Sequence, residues 1–389
     1  MTHEEVPDRI GAIVDLDAAN RAEGLLYGPR LLAETPSMWR RLMRQERRYR
    51  SFGTLRFLLL AARERFETQP SIAREITAAV LDFVEDVTAP SAVHKIGLRG
   101  LAWKEHANAL EYAGDLRDAL RAAEQAIAIY GESPQLRFDQ TRAKLVACNI
   151  HRDLGEPERA LQLARECAVI FRDYANSAER TMASLCEANV LFSLKRFPEA
   201  LAIYAEIVEK AEREGDVLTL ARALQNTAEC ARETGDLAAA RDLYPRALAR
   251  FNELELPTEA ARVRWGYGLC LAAQGKAPSA VSELFQVRAV FLHLGMNTDA
   301  AMVALDIVRI RFDADEDVRD LCAELVATFT KAGLTQNAIE ALAYLREQAS
   351  HGGISDRKIE SVRTYFGELA RKPTLHFARP RDEEEARWL

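Results

Sequence analysis

Asn108, Asn149 and Asn189 stand 41 and 40 residues apart. Each amide carries a donor and an acceptor together, so a row of them on one face can hold the backbone of an extended chain. Arginines recur on related spacings, as Arg142, Arg222 and Arg262 and again as Arg152 and Arg232. Guanidinium groups favour two-pronged contacts with carboxylates. That chemistry is recognition. Signatures of catalysis are missing, with no G-x-S-x-G, no H-E-x-x-H and no P-loop. Gly266 and Gly268 begin a dinucleotide-like pattern, but Leu271 stands in its third glycine position and no strand is expected before it. The seven histidines are scattered and share no recurring carboxylate or cysteine partner. Cys148, Cys167, Cys186, Cys230, Cys270 and Cys322 form no C-x-x-C pair and have no histidine at zinc-ligand spacing. They read as small buried helix residues in a reducing compartment. No enzyme activity, cofactor or metal is expected.

The asparagines can act together only if a repeated element presents them in register. Gly114-Asp115-Leu116 is followed by Ala119, Gly155-Glu156-Pro157 by Ala160, and Lys195-Arg196-Phe197-Pro198 by Ala200. Gly235-Asp236-Leu237 then leads to Ala240, and Gly275-Lys276-Ala277-Pro278 to Ala280. The turn residue and the alanine five later recur at spacings of 41, 40, 40 and 40 residues, which marks a stacked repeat. Glycine closes a helix by taking a left-handed conformation without penalty. Pro157, Pro198 and Pro278 fall where the next helix starts and a missing N–H costs little. The alanine one turn later lets two helices approach closely, and apolar residues such as Leu120, Ala123, Ala126 and Ile127 follow at helical spacing. Pro134 and Pro257 mark connections between hairpins. Pro245 falls within a helix and predicts a kink or break there. No segment alternates with period two, so no strands are expected.

At 389 residues the chain is too long for one compact core, which leaves two domains or an elongated array. Apolar residues make up 48% and charged residues 29%, ordinary for a folded protein, and the Ala, Leu, Arg and Glu content favours helix. A net charge of −7 argues against wholesale nucleic-acid binding. No apolar run is long enough to span a membrane and the start "MTHEEVPDRIG" lacks the apolar core of a signal peptide, so a cytosolic protein is expected. The organisation expected is a partly mobile segment over 1–37, an Arg-rich helix and a degenerate leading repeat over 38–97, and five clear repeats over 98–297. Degenerate repeats with "DADEDV" in a turn, and a capping helix, fill 298–371, and a charged tail closes the chain over 372–389.

With Trp103, Ala107, Leu110 and Ala119 in its first clear repeat, the chain resembles the tetratricopeptide repeat family, whose signature is W-x2-L-G-x2-Y, alanine, then A-x3-F. Cys148, Ala188, Ala228 and Gly268 take the small slot in later repeats, and Tyr204 and Tyr244 the aromatic slot of the second helix. Trp103 is the only tryptophan in its slot, His106 replaces leucine, and the period exceeds the family's usual 34. A period near 40 resembles the long-repeat branch that includes kinesin light chain, the Pins-type polarity adaptors and bacterial peptide-sensing regulators. The resemblance covers about residues 68–349. It implies an all-α fold, a right-handed α-α superhelix of about seven helical hairpins.

The resemblance also implies a concave groove lined by positions two, five, nine and twelve of each repeat, counted from Gly100. Position nine reads Asn108, Asn149, Asn189, Glu229, Leu269 and Arg309. Lys104 and Trp265 stand at position five, Arg142, Arg222 and Arg262 at position two, and Arg152 and Arg232 at position twelve. Two readings stand: a peptide-binding face for an extended, acidic partner segment, or a solvated face whose arginines pair with Glu111 and Glu229. The implied role is a non-enzymatic scaffold or adaptor. The alternative is a sequestering inhibitor or peptide sensor acting on a transcription factor, a sigma factor or a protease. A second patch, Met38 to Arg65, carries nine arginines against Glu46 and Glu64. Its Arg40, Arg41, Arg44, Arg47, Arg48 and Arg50 either meet nucleic acid, an anionic partner or the chain's own acidic tail, or form the solvated face of an amphipathic capping helix. Membrane, nucleic-acid and small-molecule partners are not expected.

Overall fold

The turn that sets the period is a stereochemical one. Gly114, Gly155, Gly235 and Gly275 all have positive φ, between 75° and 84°, and Lys195 adopts the same conformation at 57°. In four of these five turns the chain doubles back and donates to a carbonyl five residues earlier, as from Asp115 N to Leu110 O (2.9 Å) and from Arg196 N to Leu191 O (2.9 Å). These bonds satisfy carbonyls that the helix end leaves without a partner. The next helix then starts at once. Pro157 sits in its first turn, and the Asp236 carboxylate accepts from Ala239 N at 3.1 Å. Asp315, inside the degenerate turn "DADEDV", also has positive φ, so the beat continues into the sixth repeat.

In this computed structural model residues 18–66, 69–174, 177–369 and 375–380 are described. Among them are eighteen α-helices and no strand. The helices are α1 (Ala18–Leu32), α2 (Pro36–Gln45), α3 (Phe52–Arg63), α4 (Pro70–Leu81), α5 (Ala92–Tyr112) and α6 (Leu116–Gly131). Next come α7 (Arg137–Asp153), α8 (Pro157–Arg172), α9 (Ser177–Ser193), α10 (Phe197–Glu214), α11 (Val217–Glu233) and α12 (Leu237–Glu253). The last six are α13 (Pro257–Ala273), α14 (Ala277–His293), α15 (Asn297–Asp313), α16 (Arg319–Lys331), α17 (Gln336–Ser350) and α18 (Asp356–Leu369). The fold is an α-α superhelical repeat. It divides into two compact units, Met1–Ile203 and Tyr204–Leu389.

Within each unit the hairpins pack through their smallest residues. Ala119, Ala160 and Ala200 in the first unit and Ala240 and Ala280 in the second are fully buried, as are Ala107, Cys148, Ala188 and Ala228 of the facing slot. Gly268 takes that slot in the fifth repeat, and a Cβ there would stand 2.9 Å from Leu284 Cδ2. Large side chains fill the space on either side of these contacts. Phe171 in the first unit and Tyr244, Phe251 and Phe291 in the second are fully enclosed. Each such side chain contributes about 1.5–3 kcal/mol through burial.

All six cysteines are buried and none forms a disulfide. Helix α12 continues through Pro245, where a kink or local break is expected, so the chain does not break there. Pro245 lies on the exposed side of the helix, so the carbonyl that loses its partner faces water, while Tyr244, Ala247 and Phe251 anchor the buried side.

Ahead of the repeats, α1 crosses α3 in backbone contact. A Cβ on Gly24 would come within 2.6 Å of the Gly53 carbonyl oxygen, and one on Gly28 would run into the Phe57 ring. The expected leading repeat is the pair α3 and α4. The expected N-terminal segment holds α1 and the start of α2, while residues 1–17 and 381–389 lie outside the described residues.

A left-handed turn distinguishes glycine from every other residue by about 1–2 kcal/mol. Gly235→Ala is therefore expected to lower the urea unfolding free energy by about 1 kcal/mol, and Lys195→Gly to leave it unchanged or raise it. Urea titrations of the two variants beside wild type check the opposite signs.

Candidate binding face

In the first unit α5, α7 and α9 are the first helices of successive hairpins and lie side by side. They carry Asn108, Asn149 and Asn189, each half-buried. The Asn108 amide nitrogen donates to Glu105 Oε2 at 2.9 Å, and the Asn149 amide oxygen faces the Cys186 thiol at 3.7 Å. Each of these two amides therefore has one half committed within the protein. The Asn108 oxygen and the Asn149 nitrogen have no partner among the described residues. Arg142, on the same helix as Asn149, is half-buried and 4.0 Å from Glu179. Arg152 is tied to its neighbour Asp153 at 2.9 Å.

Position five behaves differently from the expectation. Lys104 does not reach a surface: it is buried and paired with the equally buried Glu105 at 2.6 Å. Leu145 and Leu185, at the same position of the next two repeats, are buried too. In these three repeats position five is therefore part of the packed interior, whereas Gln225 and Trp265, at the same position further on, are half-buried. Burial lowers the Lys104 ammonium below its ordinary range. Burial also works against the Glu105 carboxylate, but Lys104 and the bond from Asn108 hold its pKa below the usual value. The charged pair thus orients Asn108 from beneath.

Position twelve supplies the other notable group. Glu111 is half-buried and makes no hydrogen bond or ion pair among the described residues. Burial, and then the charge of Asp153, push its carboxyl up to about 8, against a weaker opposing pull from Arg152. The expected pairing of Glu111 with an arginine does not form, because Arg152 is held by its own neighbour.

In the second unit Arg222 is half-buried with no ion pair among the described residues. Arg232 is saturated by Glu229 (3.0 Å) and Glu233 (2.6 Å). Arg262 is exposed and lies 3.7 Å from Glu259. Glu229 fits only because Gly266 has no side chain, since a Cβ there would press on the Glu229 carboxylate and stand 2.8 Å from the Tyr244 ring. Trp265 is half-buried, meets Phe291 edge-on, and donates from Nε1 to Asp306 Oδ2 at 2.8 Å.

Asp306 is the residue that sequence reasoning missed. Its carboxylate has no solvent exposure and receives Trp265 from α13, Arg363 Nε from α18 (2.8 Å) and Arg309 from its own helix (3.6 Å). Arg309 also approaches Glu360 of α18 at 3.9 Å, and Asp313 shares a contact with Asp356. Helix α18 therefore lies antiparallel along α15 and covers the face that Arg309 was expected to open to a ligand. Ile359, Val362 and Phe366 of α18 are fully buried against it and α17.

Three of the six arginines in the expected second basic patch are tied down. Arg40 binds Asp82 at 2.6 Å, Arg47 donates to Thr88 at 3.0 Å, and Arg48 pairs with Glu46 and lies over Tyr27 and Tyr49. Arg41 and Arg44 are exposed and Arg50 is half-buried, and these three have no partner among the described residues. Among the described residues no group of three or more His, Cys, Asp or Glu is placed to hold a metal, and no helix is long and apolar enough to cross a membrane.

Repeated helical hairpins with small residues at their contacts and a row of polar side chains on the first helices define an α-solenoid of the peptide-repeat kind. Family models of the tetratricopeptide repeat match residues 179–253 and 227–289. Residues 179–289 therefore carry tetratricopeptide repeats. No curated protein matches its sequence. Its structure resembles that of a Rap protein complexed with competence and sporulation factor, at a TM-score of 0.57 and 14% identity over 81% of this chain and 88% of that one. It also resembles aspartyl phosphate phosphatase F from Bacillus subtilis, at 0.54 and 13% over 77% and 72%. A third likeness is to the Rap conjugation gene regulator of the plasmid pLS20 in complex with the Phr* peptide, at 0.54 and 10% over 85% and 99%. At these identities the likeness is one of fold.

Two outcomes are expected. Asp306→Ala leaves the Arg363 guanidinium and the Trp265 N–H without their acceptor, and should cost about 3–5 kcal/mol in a urea titration. Glu111 has a folded pKa above its unfolded one, so the stability its neutral form contributes is full below about pH 4.5 and is lost as pH rises through about 8. Glu111→Gln should therefore melt with wild type at pH 4.5 and at a higher temperature than wild type at pH 9, as followed by circular dichroism.

Proposed function

We propose that the protein is a non-enzymatic interaction module that captures an extended segment of another protein on the face formed by α5, α7 and α9. The observation that carries this reading is the row of half-buried asparagines on three neighbouring helices, two of them with one amide group left unpartnered. An extended backbone offers alternating donors and acceptors, which the Asn108 oxygen and the Asn149 nitrogen match. Arg142 supplies a cation beside the row for a carboxylate on the captured segment, and Arg222 and Arg262 of the second unit offer carboxylate contacts of their own. Arg232, Arg152 and Lys104 have internal acid partners and are given no part in binding. Two of the fold's neighbours are described as complexes with a peptide or a factor, which supports the reading by analogy of fold. A regulatory role, in which the captured segment switches the protein's hold on a target, is the second reading. It draws on the neighbour described as a conjugation gene regulator.

The test is recovery of partners from the native host by wild type and by the Asn108→Ala, Asn149→Ala, Asn189→Ala variant, with circular dichroism showing both folded. The recovered partner's segment is then titrated as a synthetic peptide by calorimetry. Each lost hydrogen bond is worth about 1 kcal/mol, so the triple variant should bind about a hundredfold more weakly. Equal affinity for both proteins would make the asparagines structural and remove the proposed face.

A further inference from the structure

Beyond α18 the second unit holds a stretch of its own chain much as a receptor holds a peptide. Residues 375–380 have no regular secondary structure. The Leu375 carbonyl accepts from both Asn337 Nδ2 (3.3 Å) and Tyr365 Oη (3.1 Å). Two residues on, the Phe377 ring meets Tyr344 at 5.5 Å and Tyr365 at 5.3 Å between centroids. Two further on, the Arg379 guanidinium lies over the Tyr344 ring at 5.6 Å and 3.3 Å from Glu347. His376 and Ala378, between them, are exposed. Alternate residues face α17 and α18, which is the period of an extended chain.

The receiving residues are fixed by the hairpin. Tyr344 and Tyr365 are buried and belong to the core of the second unit, whereas Leu375 and Phe377 pack on that core from outside and stay half-buried. The cradle thus has three subsites in a row: a bidentate backbone clamp, an aromatic slot and a carboxylate beside a ring face. Backbone capture together with alternate side-chain pockets is a recurring way of recognising extended segments. Among the described residues the segment's contacts include two hydrogen bonds, two ring contacts, a guanidinium over a ring, one ion pair and the packing of Leu375 and Phe377, and residues 375–380 have no helix or sheet of their own. Its advantage over an outside segment is chiefly that it is tethered, which sets a high local concentration.

We propose that this cradle is a second recognition site, distinct from the asparagine face. It takes an extended protein segment with an apolar residue, an aromatic two residues later and an arginine two after that. Leu375–Arg379 is its resident occupant, and a segment of the same pattern from a partner protein replaces it.

The test uses the full chain carrying Phe377→Ala and Arg379→Ala, which empties the two side-chain subsites without touching the hairpin. The probe is a fluorescein-labelled peptide of the sequence TLHFARP, followed by anisotropy, with circular dichroism confirming the fold. The peptide should bind this variant at least tenfold more tightly than it binds wild type. Replacing its phenylalanine by alanine should weaken it at least tenfold, and adding Tyr365→Phe to the protein should weaken it severalfold. Failure to bind the folded variant would overturn the proposal, as would equal binding to variant and wild type. Wild type sedimenting as a dimer that Phe377→Ala dissolves would assign the cradle to a second copy of this chain and overturn the partner assignment.

Discussion

Every larger feature of this protein depends on how closely two helices of a hairpin can approach. A helix with a broad apolar face cannot bury it alone, and here each helix finds cover in its neighbours on either side. The approach is set by alanine against alanine or cysteine, with Gly268 where even a Cβ would crowd Leu284. Because that contact is tight, the large side chains are displaced to the sides of the hairpin, where Phe171, Phe251 and Phe291 fill equivalent places. Within each unit the same spacing puts one face of each first helix in line with the next, which is how side chains about 40 residues apart become neighbours.

Much of this was legible in the amino-acid sequence. The turn residues and the alanines five later recur with the period of the hairpins, and each stands where stereochemistry or packing demands it. Lys195 was readable as a turn only because its neighbours in the repeat are glycines, since lysine rarely takes positive φ. The continuity of α12 through Pro245 was not readable, because it depends on which side of the helix the proline occupies, a tertiary matter.

The candidate faces were legible in part. The asparagine row followed from the period alone. The burial of Lys104 did not, because its partner Glu105 is adjacent in sequence, a spacing that helical pairing rules do not flag. The role of Asp306 was hidden for a related reason. Trp265 and Arg363 lie 41 and 57 residues from it, and an aspartate on a helix reads as an ordinary surface residue until a second helix is laid over it. The arginine-rich stretch at 38–65 carried a strong charge signal, of which pairing with Asp82 and Glu46 absorbs Arg40 and Arg48.

The covering of α15 by α18 has a consequence for the order in which the chain assembles. Nearly all other contacts link one helix to the next or to the adjoining hairpin, so they can form as soon as each hairpin leaves the ribosome. The bond from Arg363 to Asp306 spans 57 residues and skips over α16 and α17. Until residues 356–369 have emerged, the Asp306 carboxylate keeps water in place of its arginine. Completion of this unit is therefore timed by its last helix, and a nascent chain stalled before that point carries a hydrated, unsealed seam where the finished protein has a dry one.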